Sequence, residues 1–161
     1  MIAEPVLMSL SKAEGAAWWF NGCLNIIKAT SASTGGAFAL IHQTAAPGNA
    51  TPYHLHHDED EAFYVLDGEF TFISDGQRVV LGPGGYIFLP RKRPHGFRCT
   101  GSAPSSLLIL AMPGDGFVGM MTEAGEPAKE LTLPPPAPPD VARLIALCAK
   151  YRIDVLGPLP E

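Results

Sequence analysis

Glycine and proline recur so often in this chain that long helices have little room to form. Seventeen glycines and sixteen prolines make up about a fifth of its 161 residues. Turn clusters such as Asp67-Gly68 and Asp75-Gly76 separate short apolar runs. An Asp-Gly pair between apolar runs favours a tight hairpin, because both central residues of that turn need positive φ. Short strands that follow one another without intervening helices predict an all-β sandwich or barrel.

The chain is predicted to form one domain over 1–161, with the barrel at about 18–112. A short helix is predicted at about 114–125; its Phe117, Met120 and Met121 either pack, which is the favoured role, or cover the barrel mouth. The proline-rich stretch 134–139 predicts a stiff spacer. A C-terminal helix at about 140–152 should pack outside the barrel, since it is too short to be stable alone. Its apolar face carries Val141, Leu144, Ile145 and Cys148.

Charge and cysteine content exclude several classes of protein. A net charge of −5 argues against a nucleic-acid partner, which requires a basic surface. No apolar run reaches the roughly 18 residues of a membrane span. Met1–Pro5 lacks a basic region before an apolar stretch, so no secretory leader is predicted. Three widely spaced cysteines suit free thiols in a reducing compartment, and we expect a cytoplasmic protein.

Three histidines and one glutamate have the spacing of a metal site. His54 and His56 lie two residues apart, so their imidazoles project from the same face of a strand. Glu61 opens the next strand, and His95 begins a later one. Three neutral imidazoles and a carboxylate suit a divalent first-row transition metal, whereas a closed structural zinc site more often uses thiolates.

These segments resemble the two motifs of the cupin superfamily. The first motif, Gly-x5-His-x-His-x4-Glu-x6-Gly, matches at all five positions: Gly48, His54, His56, Glu61 and Gly68. The second motif, Gly-x5-Pro-x-Gly-x2-His-x3-Asn, matches at Gly84, Pro90 and His95. Lys92 stands where the motif has glycine, and Cys99 where it has asparagine. Neither of these two positions is a metal ligand in the pattern.

The resemblance implies a fold, a cofactor and an assembly. The implied fold is a double-stranded β-helix, or jelly-roll barrel, with the C-terminal helix outside. Further likeness at 18–20, 34–38, 61–68 and 150–158 points to bacterial cupins grouped as quercetin 2,3-dioxygenase-like. The implied cofactor is one divalent ion, Fe, Mn, Ni, Cu or Zn, held by His54, His56, Glu61 and His95. Glu61 is also the implied general base, and a homodimer formed through barrel edges is expected.

Strand alternation predicts the neighbours of the metal. Four side chains share a face with Glu61 or His95 and are expected to line the cavity: Phe63, Val65, Phe97 and Cys99. For the two phenylalanines, simple barrel packing is an equal alternative. Cys99 is more typical of a small buried residue than of a reactive thiol. His42 is a further candidate, although its strand shows no alternation that would decide which face it occupies.

The polar residues next to the first motif are expected at the surface. His57 falls on the opposite face from His54 and His56. Asp58-Glu59-Asp60 is predicted to be a solvated turn.

Three functions remain open for such a chain. The first is a metal-dependent dioxygenase acting on a small, largely apolar and hydroxylated molecule, which an aromatic compound would satisfy. The second is a sugar isomerase or epimerase, because one fold hosts many chemistries, and its cavity should carry inward-facing Lys or Arg. The third is a metal-containing module that binds a small molecule without converting it.

Overall fold

The computed structural model describes residues 4–161. Residues 1–3, which are part of the predicted domain and of the segment for which no leader is predicted, lie outside this range. Within it, strands β1 to β12 form two antiparallel sheets, accompanied by helices α1 and α2. A short 3-10 helix covers Ala32–Thr34.

The larger sheet has seven strands. In spatial order they are β11 (Glu126–Pro127), β1 (Ala16–Phe20), β2 (Cys23–Ala29), β3 (Ala39–Ala45), β10 (Ser105–Met112), β5 (Asp60–Asp67) and β8 (Tyr86–Leu89). The second sheet has five strands, in the order β12 (Ile153–Gly157), β4 (Tyr53–His56), β9 (His95–Cys99), β6 (Phe70–Ser74) and β7 (Gln77–Leu81). Strands distant in sequence are neighbours, as β3 is to β10 and β4 to β9. This arrangement confirms the predicted all-β jelly roll.

Phenylalanine side chains fill the space between the two sheets. Phe63 from β5 faces Phe72 and Phe97 from the second sheet, with ring centroids 5.2 Å apart in both pairs. Phe70 lies 6.1 Å from Phe97. All four rings are buried, and their tilted and edge-on contacts are the geometries that aromatic pairs prefer. The interior of the barrel in this region is therefore a packed core.

The helices cover one end of the barrel. Helix α1 spans Asp115–Ala124 and helix α2 spans Val141–Lys150. The Asp140 side chain caps α2 by accepting a hydrogen bond from the Arg143 N–H. The packed face of α2 is formed by Leu144, Leu147 and Cys148, which contact the core. Val141 and Ile145, expected on that face, are exposed, because the helix is turned relative to the sequence-based prediction.

The chain returns to the barrel after α2. Strand β12 pairs with β4 at the edge of the second sheet, so the barrel does not end near residue 112. The sequence range of about 18–112 omitted this strand because a five-residue strand that ends at Gly157 shows too little alternation to be recognised. Its pairing partner lies about a hundred residues earlier, where local patterns give no signal.

Two further observations concern the described residues. Within residues 4–161, no helix has both the length and the apolar character needed to cross a membrane. Cys23, Cys99 and Cys148 are all buried and unpaired with one another.

Candidate metal centre

Three strands bring the predicted ligands to one point. His54 and His56 extend from β4, and the register of β4 with β9 places His54 opposite His95. Glu61 approaches from β5, in the other sheet. One ligand atom from each of the four residues lies within 4.8 Å of every other. The structure therefore brings together all four residues that the spacing singled out.

Glu61 is the centre of this cluster. Its Oε2 atom lies 2.8 Å from His95 Nε2 and 3.2 Å from His56 Nε2. The three imidazole rings surround it, with centroids 4.7 to 5.7 Å apart. Glu61, His56 and His95 are buried, so water screens these contacts weakly.

Hydrogen bonds on the far side of two rings set their tautomers. His54 Nδ1 donates to the Pro52 carbonyl at 2.8 Å, and His95 Nδ1 donates to the Arg93 carbonyl at 3.0 Å. Because a carbonyl can only accept, each Nδ1 carries the proton and a neutral ring presents an Nε2 lone pair to the cluster. In that tautomer His95 Nε2 and Glu61 Oε2 are both acceptors, and their 2.8 Å separation requires a cation or a shared proton. The arrangement therefore fits a metal ion.

Burial and mutual contacts shift the pKa values of three residues in the cluster. Burial and the neighbouring imidazoles His95 and His56 lower the pKa of His54 to about 3. Burial also opposes charge on His56, but the Glu61 and Glu59 carboxylates outweigh it and raise the pKa of His56 to about 10. Burial would raise the pKa of Glu61, yet His56 and His95 hold it well below its usual range. Without an ion, these shifts favour a proton held among the imidazoles beside an ionised Glu61.

Metal affinity should rise with pH as a result. Below the His56 pKa of about 10 an incoming ion must displace that proton, so binding is stronger at higher pH. We expect the apparent dissociation constant to fall roughly tenfold per pH unit between pH 6.5 and 8.5, with about one proton released per ion. Calorimetry in buffers of different ionisation enthalpy measures both quantities. Equal affinity at the two pH values would contradict the stored proton.

A small apolar cavity adjoins the cluster. Its volume is about 50 Å³, and His54 and His56, together with Asn21 and Thr51, form its polar side. The opposite walls come from the helices and β12: Phe117, Met120, Leu144, Cys148, Ile153 and Val155. None of the described lining residues is Lys, Arg, Asp or Glu. The cavity therefore suits an apolar guest that reaches the two imidazoles.

The predicted cavity lining was wrong. Phe63, Val65, Phe97 and Cys99 point into the barrel as strand alternation required, but they are packed in the core and do not line the cavity. Aromatic rings fill that part of the interior, which leaves space only on the side of the helices. His42 does not face the cavity either, because its two neighbours on β3, Ile41 and Gln43, lie on the buried face of the strand.

Two functional features differ from the favoured expectations. Phe117 and Met120, for which packing was favoured over covering the barrel mouth, form cavity walls on α1. Glu59, expected in a solvated turn, is only 5% exposed, whereas His57 is partly exposed and contacts Asp154. The apolar run of α1 was a visible signal for the walls. Nothing local distinguishes Glu59 from its acidic neighbours, since its partners lie more than fifty residues away.

Lys92 keeps the turn of the second motif despite replacing glycine. Its φ of 64° lies in the left-handed region that favours glycine. Its N–H donates to the His56 carbonyl at 2.7 Å. The turn therefore joins the segment before His95 to the strand that carries His54 and His56.

The barrel and its cluster agree with comparisons to known proteins. Residues 41–111 match the Cupin domain family. Over 133 residues, the chain is 30% identical to quercetin 2,3-dioxygenase of Bacillus subtilis (strain 168). The chain belongs to the cupin superfamily. The aligned region covers 83% of this cupin chain but only 39% of the Bacillus protein.

Solved structures agree on the fold. A predicted oxalate decarboxylase from Thermotoga maritima superposes with a TM-score of 0.60 at 19% identity, covering 65% of this cupin and 98% of that chain. A sugar phosphate isomerase of the cupin superfamily from Silicibacter pomeroyi gives a TM-score of 0.51 at 21% identity, covering 58% and 60%. At these identities the likeness concerns the barrel alone.

Proposed function

We propose that this cupin is a metal-dependent dioxygenase acting on a small, hydroxylated and largely apolar molecule, such as an aromatic one. The observation that carries the proposal is a cluster of three imidazoles and a carboxylate beside an apolar cavity that two of the imidazoles line. The similarity to quercetin 2,3-dioxygenase over most of the chain supports the same reaction class. Both atoms of dioxygen would enter the substrate, so the reaction needs no external reductant.

In this proposal each residue of the centre has a role. His54, His56, Glu61 and His95 hold one divalent ion, and their donor set suits Fe, Mn, Ni, Cu or Zn. A divalent ion there supplies a Lewis acid that lowers the pKa of a hydroxyl group. Glu61 is the only carboxylate among the four, and in this proposal it is the group that accepts the hydroxyl proton. The apolar walls exclude water from reactive intermediates.

The cavities limit how a substrate is bound. The cavity beside the imidazoles, at about 50 Å³, admits only a small group. A larger cavity of about 400 Å³ adjoins it and includes Pro138, Pro139 and Arg143. Phe20, Asn21 and Leu144 line both cavities and form the boundary between them. We infer that the hydroxyl-bearing end enters the inner cavity while the rest of the molecule occupies the outer one.

The test begins with elemental analysis of protein purified without an affinity tag. Protein loaded with the metal found is then assayed for dioxygen uptake with phenols, flavonols and enols. Uptake matched by an oxygenated product supports the proposal. No dioxygen uptake with any of these compounds contradicts the proposal. Assays of sugar-phosphate conversion and of ligand binding then distinguish the alternatives. Conversion of sugar phosphates would indicate an isomerase, and tight binding without turnover would indicate a sensor.

We also propose that two copies associate through β8. This strand is an edge of the seven-stranded sheet, and it exposes Tyr86 (61%) and Phe88 (48%) without a lysine or proline to protect it. Tyr64 on the neighbouring β5 strand extends the apolar surface. An edge strand can pair with its own copy about a two-fold axis, which makes a second copy the simplest occupant.

Charge on this edge should abolish the dimer. By light scattering, we expect the wild-type protein to have twice the chain mass of 17.1 kDa. The Tyr86→Lys/Phe88→Lys variant should have the mass of one chain. Val80→Lys is the matched control, since Val80 is an exposed apolar residue on β7, an edge of the other sheet. A monomeric wild type, or a dimeric double variant, would contradict the β8 interface.

A further inference from the structure

Glu59 is buried in a turn whose other acidic residues are at the surface. Asp58 pairs with Arg152 and Asp60 pairs with Arg91, and both arginines are well exposed. Glu59 instead points inward and is only 5% exposed. A buried carboxylate is costly unless it is hydrogen-bonded, so its contacts indicate what it does.

Both oxygens of Glu59 bind the beginning of α1. The Gly116 N–H donates to Oε1 at 2.9 Å, and the Phe117 N–H donates to Oε2 at 2.8 Å. The residue at the N-cap position, Gly114, has no side chain to cap the helix. Glu59 therefore replaces the missing cap and satisfies two N–H groups that have no partner within the helix.

The same carboxylate also faces a proposed metal ligand. Glu59 Oε2 lies 3.7 Å from His56 Nδ1, beyond hydrogen-bonding range, and neither nitrogen of His56 has a hydrogen-bond partner. The other two imidazoles each have a backbone carbonyl at Nδ1. Glu59 is therefore the group placed to serve His56 in the same way. The Phe117 ring, a cavity wall, lies 6.3 Å from the His56 ring.

We propose that Glu59 is a positioning residue that orients His56 Nε2 toward the metal and fixes helix α1 against the same imidazole. A carboxylate behind a histidine ligand sets its tautomer and strengthens it as a donor. Through Gly116 and Phe117, the same group ties a wall of the inner cavity to the metal centre. This inference rests on the metal centre of the proposed function, not on its oxygenase chemistry.

Cobalt binding tests the inference without an activity assay. The dissociation constant of Co²⁺ is measured by competition with a chromophoric chelator, and the visible spectrum of bound Co²⁺ is recorded. We expect Glu59→Ala to weaken binding by about 10- to 100-fold and to change the spectrum, as losses of such partners do. Glu59→Gln keeps the shape and one acceptor, so its loss should be smaller. Asp58→Asn removes the adjacent charge and should match wild type.

The outcomes separate this inference from the proposed function. If Glu59 only caps α1, the melting temperature falls in both Glu59 variants while affinity and spectrum stay at wild-type values, which overturns the inference. Should Glu59→Ala fail to fold, Glu59→Gln carries the same comparison. If Asp58→Asn weakens Co²⁺ binding as much as Glu59→Gln does, the loss reflects only the removal of a nearby negative charge. That result would also overturn the inference. A wild-type protein that binds no Co²⁺ would contradict the metal centre itself.

Discussion

Replacing His95 with alanine is expected to lower the affinity for a divalent ion by more than about 100-fold, above the usual effect of losing an outer partner. His95 is buried, and its Nε2 lies 2.8 Å from Glu61 Oε2. The substitution removes one of four donors, and with it the shortest imidazole contact of the Glu61 carboxylate. Competition with a chelator of known affinity measures the loss.

A second histidine supplies the control for this experiment. His42→Ala makes the same chemical change on β3, where the side chain lies on the face of the strand away from the buried residues. Its affinity should equal that of the wild type. Circular dichroism confirms that both variants retain the fold. A His95→Ala protein that binds the ion as tightly as His42→Ala would exclude His95 as a ligand.

The Phe63→Ala variant is expected to lose about 3–5 kcal/mol of free energy of unfolding. Phe63 is fully buried, and its ring centroid lies 5.2 Å from those of Phe72 and Phe97. Truncation therefore leaves a cavity that these rigid neighbouring rings cannot fill. For a chain of this length, such a loss lowers Tm by about 10 °C. Urea unfolding monitored by fluorescence measures the free energy directly.

Phe38→Ala is the matched control for core packing. Phe38 is half-buried and lies outside the phenylalanine cluster. Its truncation should cost less than half as much as that of Phe63. Equal losses in the two variants would mean that the cluster is not a special source of stability. Because Phe63 does not line the cavity, metal affinity in Phe63→Ala should stay close to the wild-type value at temperatures where the protein is folded.

The ligand cluster was predictable because its information is local. His54 and His56 share a strand face by simple alternation, and the first motif places Glu61 at the start of the next strand. His95 needed only the expectation that a barrel brings its strands into contact. Turn residues likewise marked the strand ends, since Asp75-Gly76 adopts the positive φ values that the dipeptide predicts.

The cavity walls were not predictable in this way. Alternation correctly placed Phe63 and Phe97 inside the barrel, but a side chain inside the barrel need not border a cavity. Whether a side chain fills the core or borders a cavity depends on the volumes of all its neighbours. The face occupied by His42 could not be predicted. Burial alternates from residue to residue along β3, but apolar and polar residue types do not. Glu59 depended on α1, more than fifty residues away.

Strand β12 is synthesised last among the strands that surround the candidate metal centre. It pairs with the strand that bears His54 and His56, joining Val155 to His54, and two of its residues close the cavity. Pairings this distant in sequence form slowly, because a long loop must close before they contribute stability. On a ribosome, all four donor side chains emerge well before residues 153–157. Until that strand docks, the cavity beside the donor side chains lacks the wall that Ile153 and Val155 supply and stays open to water.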